Sequence, residues 1–402
     1  MIRGRVQPPT AVQGLFITFG FVVAAFFPFL AIYLQDHGLS ADQIGIVIAV
    51  MALARIVTNP LWGHYADTRI GRLTALQLGT AGTAIGAVVM SLANGITSIT
   101  IASVVIAAFM VSTGPNIDAI VLVQLGDERM TDYGRIRGWE SASYALGCLI
   151  YGAVLQLAGL DWAMPIFAIA CVAVLVWSQT VERDRPTEGA VHGRMGAVGA
   201  VFREAPRFWS FLVAILLVWT GFNAAWNFIS LKIVSEGGGP FLIGLGAAAG
   251  GLVEVPMMRA SSKWQSRWGL RNVFALGCLL YATGFMLWGL VDDPTILSLL
   301  TIVEGMAFSL LFTSAVVVVG RLLPSTLYST GNSVAQMVGF GIGPILGAGI
   351  GGYVYQHAGT VYLYSGASAL AVAGGVVAWL ALSTPALAEP EGPPAEIGSA
   401  PS

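Results

Sequence analysis

The sequence predicts an all-α membrane protein with twelve transmembrane helices, arranged as two pseudo-symmetric bundles of six. Three observations support this fold class. Hydrophobic residues make up 56% of the 402 residues and charged residues only 10%, whereas soluble domains carry about 25% charged residues. Apolar segments long enough to cross a bilayer recur along the chain. The second half of the chain also repeats features of the first.

Segments of about 20 apolar residues, the length that spans a hydrocarbon core about 30 Å thick, mark the predicted helices. Numbered segments 1 to 12 in chain order, they cover residues 12–35, 42–63, 73–93, 98–124, 137–158, 162–180, 208–232, 240–260, 272–291, 295–319, 330–355 and 361–382. An even number of crossings puts both termini on one side of the membrane.

The basic residues indicate which side this is. All of the 19 lysines and arginines except Arg55 and Lys232 lie before segment 1 or around the connections that follow even-numbered segments. Lys232 falls in a connection on the other side, and Arg55 is intramembrane. Because cytoplasmic loops carry an excess of basic residues, we expect both termini to be cytoplasmic in a bacterial inner membrane.

A change of composition divides the chain. The stretch over 181–207 is rich in charge, Gly and Pro and is predicted to be a cytoplasmic linker. It separates an N-terminal six-helix bundle over 1–180 from a C-terminal bundle over 208–384, and a tail over 385–402 is predicted to be disordered. An offset of 199 aligns Ile44-Gly45 with Ile243-Gly244. Two similar halves suit a transporter that alternates between two openings.

A polar stretch separates segments 2 and 3. Because charged groups are excluded from hydrocarbon, it should form a tight turn at the membrane surface. Its glycines would allow a sharp reversal and close approach of a neighbouring helix. Its carboxylate would accept hydrogen bonds from free N–H groups at a helix start. A solvated turn without a special role is the alternative. The residues concerned are Gly63, Asp67, Arg69, Gly71 and Arg72.

This stretch resembles the loop signature of the major facilitator superfamily, Gly-x-x-x-Asp-Arg/Lys-x-Gly-Arg-Arg/Lys. It has one extra residue, Thr68, and lacks the last cation. The sequence Asp132-Tyr-Gly-Arg-Ile-Arg-Gly-Trp-Glu-Ser141 resembles the phenylpropionate-permease-like branch, which neighbours the sugar and nucleoside proton symporters. Glu140 stands where that branch usually has glycine. The resemblance implies alternating access, a conformational latch at the loop, and a central cavity lined by helices 1, 4, 7 and 10.

Charged residues inside the apolar segments are the strongest candidates for function, because each costs at least about 2.5–3.5 kcal/mol at the bilayer centre. A buried carboxyl group is readily protonated, since burial penalises its charged form. The proton-coupling candidates are therefore Asp118, Glu140, Glu254 and Glu304. Counted from the segment ends, Asp118 and Glu254 lie toward the cytoplasmic side of the midplane and Glu304 toward the other. Glu140 could instead be a solvated residue at a helix start.

Arg55 is the one deeply placed cation of the predicted helices. It could form a structural ion pair with Asp118, or it could bind a carboxylate of the substrate. Both possibilities remain open at this point.

Segment 7 carries polar and aromatic residues at helical spacing. Trp219, Asn223, Trp226 and Ser230 follow an i, i+4, i+7, i+11 pattern, and Asn227 lies beside them. Such a face suits the wall of a wet cavity, although interfacial tryptophans and helix–helix hydrogen bonds would give the same pattern. Further candidates for substrate binding are Asn116, Tyr144 and Gln336, together with Phe26, Phe27, Tyr33 and Asn332.

Together these features predict a secondary transporter rather than an enzyme, most simply a proton symporter for an aromatic carboxylate, sugar or nucleoside. The alternatives are a drug/proton antiporter and a non-transporting membrane receptor. The four histidines lack metal-ligand spacing and no phosphate-binding glycine loop with its lysine occurs. We therefore expect no metal, cofactor or nucleic acid. We expect a monomer whose partners are a small-molecule substrate, protons and the bilayer.

Overall fold

The structure is a computed structural model that describes residues 9–125, 133–182, 206–324 and 326–383. These residues form twelve helices that are long and apolar enough to cross a membrane. Labelled α1 to α12 in chain order, they are Thr10–Asp36, Ala41–Ile70, Arg72–Ser91, Ile96–Leu125, Tyr133–Ala158, Leu160–Ser178, Arg207–Ser235, Pro240–Trp268, Leu270–Leu290, Pro294–Leu322, Thr330–Ala358 and Thr360–Ala381.

Some predictions fall outside the described residues. The predicted linker over 181–207 lies largely outside them, and the predicted tail over 385–402 lies entirely outside them. The same holds for seven of the basic residues used to orient the chain: Arg3, Arg5, Arg129, Arg183, Arg185, Arg194 and Arg203.

The twelve helices pack as two bundles of six with matching internal contacts. In the first bundle α1 contacts α5 and α6, and in the second α7 contacts α11 and α12 in the same way. Likewise α3 packs on α4 and α6, as α9 packs on α10 and α12. Two helix pairs, α2 with α11 and α5 with α8, make most of the contacts between the bundles, and the end of α1 also contacts α7. The predicted fold class is therefore confirmed.

Turn glycines repeat between the two bundles. Left-handed backbone angles favour glycine because it lacks a Cβ atom, and such glycines recur about 199 positions apart. The pairs are Gly38 with Gly237, Gly71 with Gly269 and Gly159 with Gly359, all with φ between +79° and +95°. The chain thus reverses direction at equivalent places in both halves.

An even number of crossings brings both ends of the described chain to one face of the protein, which we call the terminal face. The other side is called the opposite face. Accordingly α2 and α8 begin at the opposite face, where α5 and α11 end. This geometry allows an α-helix of one bundle to start beside the last turn of a helix in the other.

The bundles approach each other most closely toward the opposite face. A Cβ atom at Gly152 of α5 would lie 2.8 Å from the carbonyl oxygen of Pro240 in α8, and one at Gly45 of α2 would strike the carbonyl of Ala348 in α11. Small residues allow this backbone contact. The opposite-face end of α1, Leu30–Asp36, also packs against α7 of the other bundle, so these contacts between the halves all lie toward the opposite face.

Lys232 corrects the sequence interpretation. It does not lie in a loop but inside α7, where its side chain is 1% exposed. Its Nζ lies 3.6 Å from Oδ1 of Asp292 and 3.4 Å from the carbonyl oxygen of Gly289. A long side chain near a helix end can reach polar groups at the surface while its stem stays buried. The helix α7 itself extends about one turn beyond its predicted end, to Ser235.

Candidate functional site

A cavity of about 210 Å³ lies between the two bundles. Six helices line it: α1, α2, α7, α8, α10 and α11. Three of these helices are interrupted beside it: α1 by a turn at Pro28, α10 by a turn at Leu300, and α11 by a π-helical segment, Val338–Ile342, before Pro344. Proline removes a helical hydrogen bond and π-segments frequently occur at functional sites. The cavity is therefore the candidate binding site.

Arg55 is the only charged side chain that lines the cavity in the described chain. No carboxylate of the described residues lies within ion-pair distance of it. The predicted alternative, an ion pair between Arg55 and Asp118, is wrong. Asp118, which lies on α4, bonds to side chains of α5 instead. A cation in a largely apolar cavity without a counter-ion is an unfavourable arrangement unless a ligand supplies the charge.

Asp118 belongs to a polar network at the terminal-face ends of α4 and α5. It accepts a 2.8 Å hydrogen bond from the Tyr133 hydroxyl and lies 3.2 Å from Nη1 of Arg137. Glu140 follows one turn after Arg137 and lies within electrostatic range of it. Neither Asp118 nor Glu140 lines the cavity. The network therefore joins two helices of the first bundle.

The predicted face of α7 forms one wall of the cavity. Asn223, Trp226, Asn227 and Ser230 all line it. The side-chain NH₂ groups of Asn223 and Asn227 donate 2.8 Å bonds to carbonyls one turn earlier, those of Trp219 and Asn223. These bonds hold the amide groups in one orientation while the side chains border the cavity.

Trp219 departs from this pattern. It is 3% exposed and packs against Phe222, Phe308 and Phe340, with ring centroids 4.5–5.5 Å apart. It lines a much smaller space toward the terminal face, together with Gln336. One further turn along α7 is enough to move a residue out of the cavity.

Glu254 and Glu304 lie behind the cavity wall, within electrostatic range of each other. The Glu304 side chain is 4% exposed, and its Oε2 atom would be 3.6 Å from a Cβ at Gly250, one turn before Glu254 in α8. The buried Tyr281 hydroxyl interacts with the Glu304 carboxyl group and lies within electrostatic range of Glu254. Tyr144 of α5 adjoins the pair. No lysine or arginine of the described chain pairs with either carboxyl group.

The carboxyl pair adjoins the cavity through α10. Thr301, one turn before Glu304, lines the cavity and donates a 2.7 Å bond to the carbonyl of Gly246 in α8. Sequence reasoning missed Thr301 and Tyr281. A hydroxyl residue one turn from a buried carboxylate was the available signal for Thr301. No local pattern distinguished Tyr281 from an ordinary core tyrosine.

The remaining predicted binding residues have mostly structural surroundings. Asn116 is buried and donates a 2.6 Å bond to the carbonyl of Ser112. Phe26 stacks on Phe167 with centroids 4.5 Å apart, and the Tyr33 hydroxyl donates to the Met90 carbonyl. Asn332, like Gln336, borders the small space near Trp219, whereas Phe27 lines the cavity. The resemblance implied a cavity lined by helices 1, 4, 7 and 10. Of the candidates on those helices, Asn223 and Trp226 line the cavity, whereas Asp118 and Glu304 do not.

The loop motif begins inside α2. The helix continues to Ile70 through a π-helical turn, Ala66–Ile70, which contains the extra residue Thr68. A π-turn accommodates one additional residue in a helix, so the insertion lengthens α2. Gly71, with φ +79°, is the residue immediately before α3. The Asp67 carboxylate accepts no described hydrogen bond from the first backbone N–H groups of α3, so the predicted helix cap is not formed.

The charges of the motif interact locally. Asp67 accepts a 3.4 Å hydrogen bond from Nε of Arg72, and the Arg69 guanidinium lies 5.8 Å from the Tyr65 ring centroid. A Cβ atom at Gly63 would meet nothing within 4 Å, so no described helix requires a glycine there. These contacts all lie in α2 and α3.

Comparison with known proteins agrees with this architecture. The family model described as "MFS_1 like family" matches residues 12–365. The maltose permease of Geobacillus stearothermophilus is 26% identical over 354 residues, covering 86% of this chain and 87% of the permease. The probable 3-phenylpropionic acid transporter of Escherichia coli (strain K12) is 19% identical, over an alignment that covers 72% of this chain and 75% of that transporter.

Solved structures resemble the whole fold. The crystal structure of the nucleoside transporter NupG superposes with a TM-score of 0.81 at 16% identity, covering 94% of this chain and 99% of NupG. At this identity the likeness establishes the fold alone. Since the family model spans most of the chain, the protein belongs to the MFS_1-like family of the major facilitator superfamily and is a multi-pass membrane transporter of that type.

Proposed function

We propose that this transporter is a proton symporter for a small organic carboxylate with a flat, aromatic body. The observation that carries the proposal is the unpaired Arg55 in the cavity between the bundles. A guanidinium group binds a carboxylate through two parallel, charge-assisted hydrogen bonds. A substrate anion would supply the charge that the described cavity wall lacks.

The rest of the cavity suits the body of such a substrate. Apolar and aromatic side chains surround the space, including Phe27, Trp226 and Phe340. Aromatic rings stack favourably on flat solutes. A volume of about 210 Å³ is below the usual range for drug-sized ligands, roughly 300–1,000 Å³. The site therefore favours a molecule with a single ring.

A sugar or nucleoside is the second candidate, and a specific observation supports it. Asn223, Asn227, Ser230 and Thr301 supply amide and hydroxyl groups to the same cavity. These groups could bind several hydroxyls of a neutral solute. A drug/proton antiporter that takes organic cations is less compatible with the site, because Arg55 would repel a cation.

Proton coupling is assigned to the carboxyl pair of Glu254 and Glu304. Two carboxyl groups that share an apolar site cannot both be ionised at low cost. A proton taken up there changes the charge of α8 and α10, and Thr301 links this pair to the cavity wall. Protonation and substrate binding would thereby be coupled.

The protein is proposed to lie in the cytoplasmic membrane of a bacterium as a monomer, with the terminal face in the cytoplasm. The positive-inside rule supports this orientation. Close packing of the halves near the opposite face then corresponds to a conformation closed to the outside. The loop with Asp67 and Arg72 would act as the latch that re-forms contacts at the cytoplasmic face when the protein turns outward.

Transport into liposomes tests the proposal. Purified protein is reconstituted with a pH dye in the lumen, and phenylpropionate, sugars, nucleosides and lipophilic cations are added in turn. Because weak acids acidify a lumen by crossing lipid unaided, the reference is liposomes that contain the Arg55→Gln variant. Acidification by phenylpropionate that exceeds this reference supports carboxylate symport. Acidification by a sugar or nucleoside favours the second candidate, and alkalinisation by a cation contradicts both.

A further inference from the structure

Two glutamine side chains cross from one bundle to the other at the opposite face. Oε1 of Gln356, in the last turn of α11, accepts a 3.0 Å hydrogen bond from the backbone N–H of Ala41. Oε1 of Gln156, in the last turn of α5, accepts a 3.5 Å bond from the backbone N–H of Phe241. We call this pair the glutamine clasp.

Each glutamine meets a need of the helix that it contacts. The first N–H groups of an α-helix have no acceptor within the helix. Ala41 is the first residue of α2, and Phe241 is the second residue of α8. The preceding Ser40 N–H is already bonded to Gln43 of its own helix. The acceptor for the next free N–H therefore comes from the other bundle.

The two contacts are equivalent under the internal repeat. Gln156 and Gln356 are 200 positions apart, as are their partners Ala41 and Phe241. The donor and the acceptor exchange bundles: a first-bundle glutamine caps a second-bundle helix, and the reverse holds for the other. A cap that served only local helix stability would not need to cross between bundles in both copies.

The bonds depend on close approach of the bundles at the opposite face. A Cβ atom at Gly239 would collide with Oε1 of Gln156, so the glutamine lies directly against the start of α8. Gly152 and Gly244 likewise bring α5 and α8 into backbone contact one turn deeper. Separation of α2 from α11 and of α5 from α8 breaks both caps.

We infer that the glutamine clasp is a two-point lock that holds the opposite face closed. The inference rests on the alternating access contained in the proposed function. Opening replaces each cap with bonds to water, at a net cost of one hydrogen bond, ~1 kcal/mol, or about fivefold in the open-to-closed ratio. The longer Gln156 bond should contribute the smaller share. Both together should therefore shift the ratio by more than fivefold and by less than about 25-fold.

The distance between spin labels on α2 and α11 tests this inference without any substrate. Ile46 and Tyr353 are both exposed near the opposite face and are replaced by labelled cysteines, after the three buried native cysteines are changed to alanine. Gln156→Met and Gln356→Met keep the side-chain length but remove the acceptor. The control is Gln35→Met, an exposed glutamine of the same face without a described side-chain bond.

The expected result is a new population of long distances that grows about fivefold in Gln356→Met and further in the double variant, with no change in the control. Gln356→Asn, whose amide cannot reach Ala41, gives the same test if the methionine variants do not fold. If the double variant folds and its population of long distances stays within twofold of the parent's, the inference is overturned. If the distances shift but no solute is transported, the lock stands and the proposed function fails.

Discussion

Replacing Arg55 by glutamine separates the two substrate classes that fit the cavity. The change removes the only charged group of the described cavity wall and retains a polar side chain of moderate length. Removing one partner of a buried, hydrogen-bonded charge pair costs about 2–5 kcal/mol in affinity. Taking ~3 kcal/mol, the affinity for a carboxylate should fall by about 150-fold.

The same variant should behave differently with an uncharged solute. Arg55 has no acidic partner among the described residues, so its removal leaves no orphaned carboxylate there. A sugar held by Asn223 and Asn227 should therefore bind within about threefold of the parent. Arg55→Lys retains the charge but loses the bidentate geometry, and carboxylate affinity should fall by about tenfold.

Isothermal titration calorimetry of the purified protein measures these affinities directly. Arg259→Gln is the matched control, because Arg259 is exposed on α8 and does not line the cavity. The control should bind as the parent does. If Arg55→Gln binds phenylpropionate as tightly as the parent, the assignment of Arg55 to the substrate carboxylate is refuted. The assignment is also contradicted if Arg55→Gln has the same unfolding temperature as the parent but no longer binds the neutral solute.

Three further variants follow from the same geometry. Glu304→Gln should abolish proton-driven accumulation in liposomes, while solute exchange between equal pools continues. The control Glu236→Gln, in the turn after α7, should retain both activities. If Glu304→Gln loses exchange as well, the residue has a structural role. Gly152→Val places atoms against the Pro240 carbonyl and should prevent closure of the opposite face, seen as reduced exchange, whereas Gly349→Val, which meets open space, should not. Asp67→Asn should lower the rate of transport several-fold with unchanged substrate affinity, and an unchanged rate in correctly inserted protein would contradict the latch.

The membrane architecture follows from local properties of the chain. Each backbone group in hydrocarbon must be bonded internally, so every apolar run of sufficient length becomes a helix whatever its neighbours are. The twelve predicted segments accordingly match twelve observed helices. Their ends were less predictable: α2 runs from Ala41 to Ile70, beyond the predicted 42–63, because a π-turn carries the helix through the polar motif.

Positions on one helix face were also predictable. The spacing of Asn223, Trp226 and Ser230 implied a common face, and all three line the cavity. The spacing could not tell where along α7 the cavity ends. Trp219 shares the face but packs among aromatic rings one turn too far toward the terminal face.

What the sequence by itself determined is the number of crossings, the two repeated halves and the presence of costly polar groups inside apolar helices. Only the tertiary structure decided which of these groups meet. Asp118 bonds to Tyr133 and Arg137 rather than to Arg55. Glu254 and Glu304 lie within electrostatic range of each other, although the sequence placed them on different sides of the midplane. Such meetings depend on the rotation, tilt and depth of each helix. These are set by contacts between residues far apart in the chain, and hydropathy, which is local, carries no information about them.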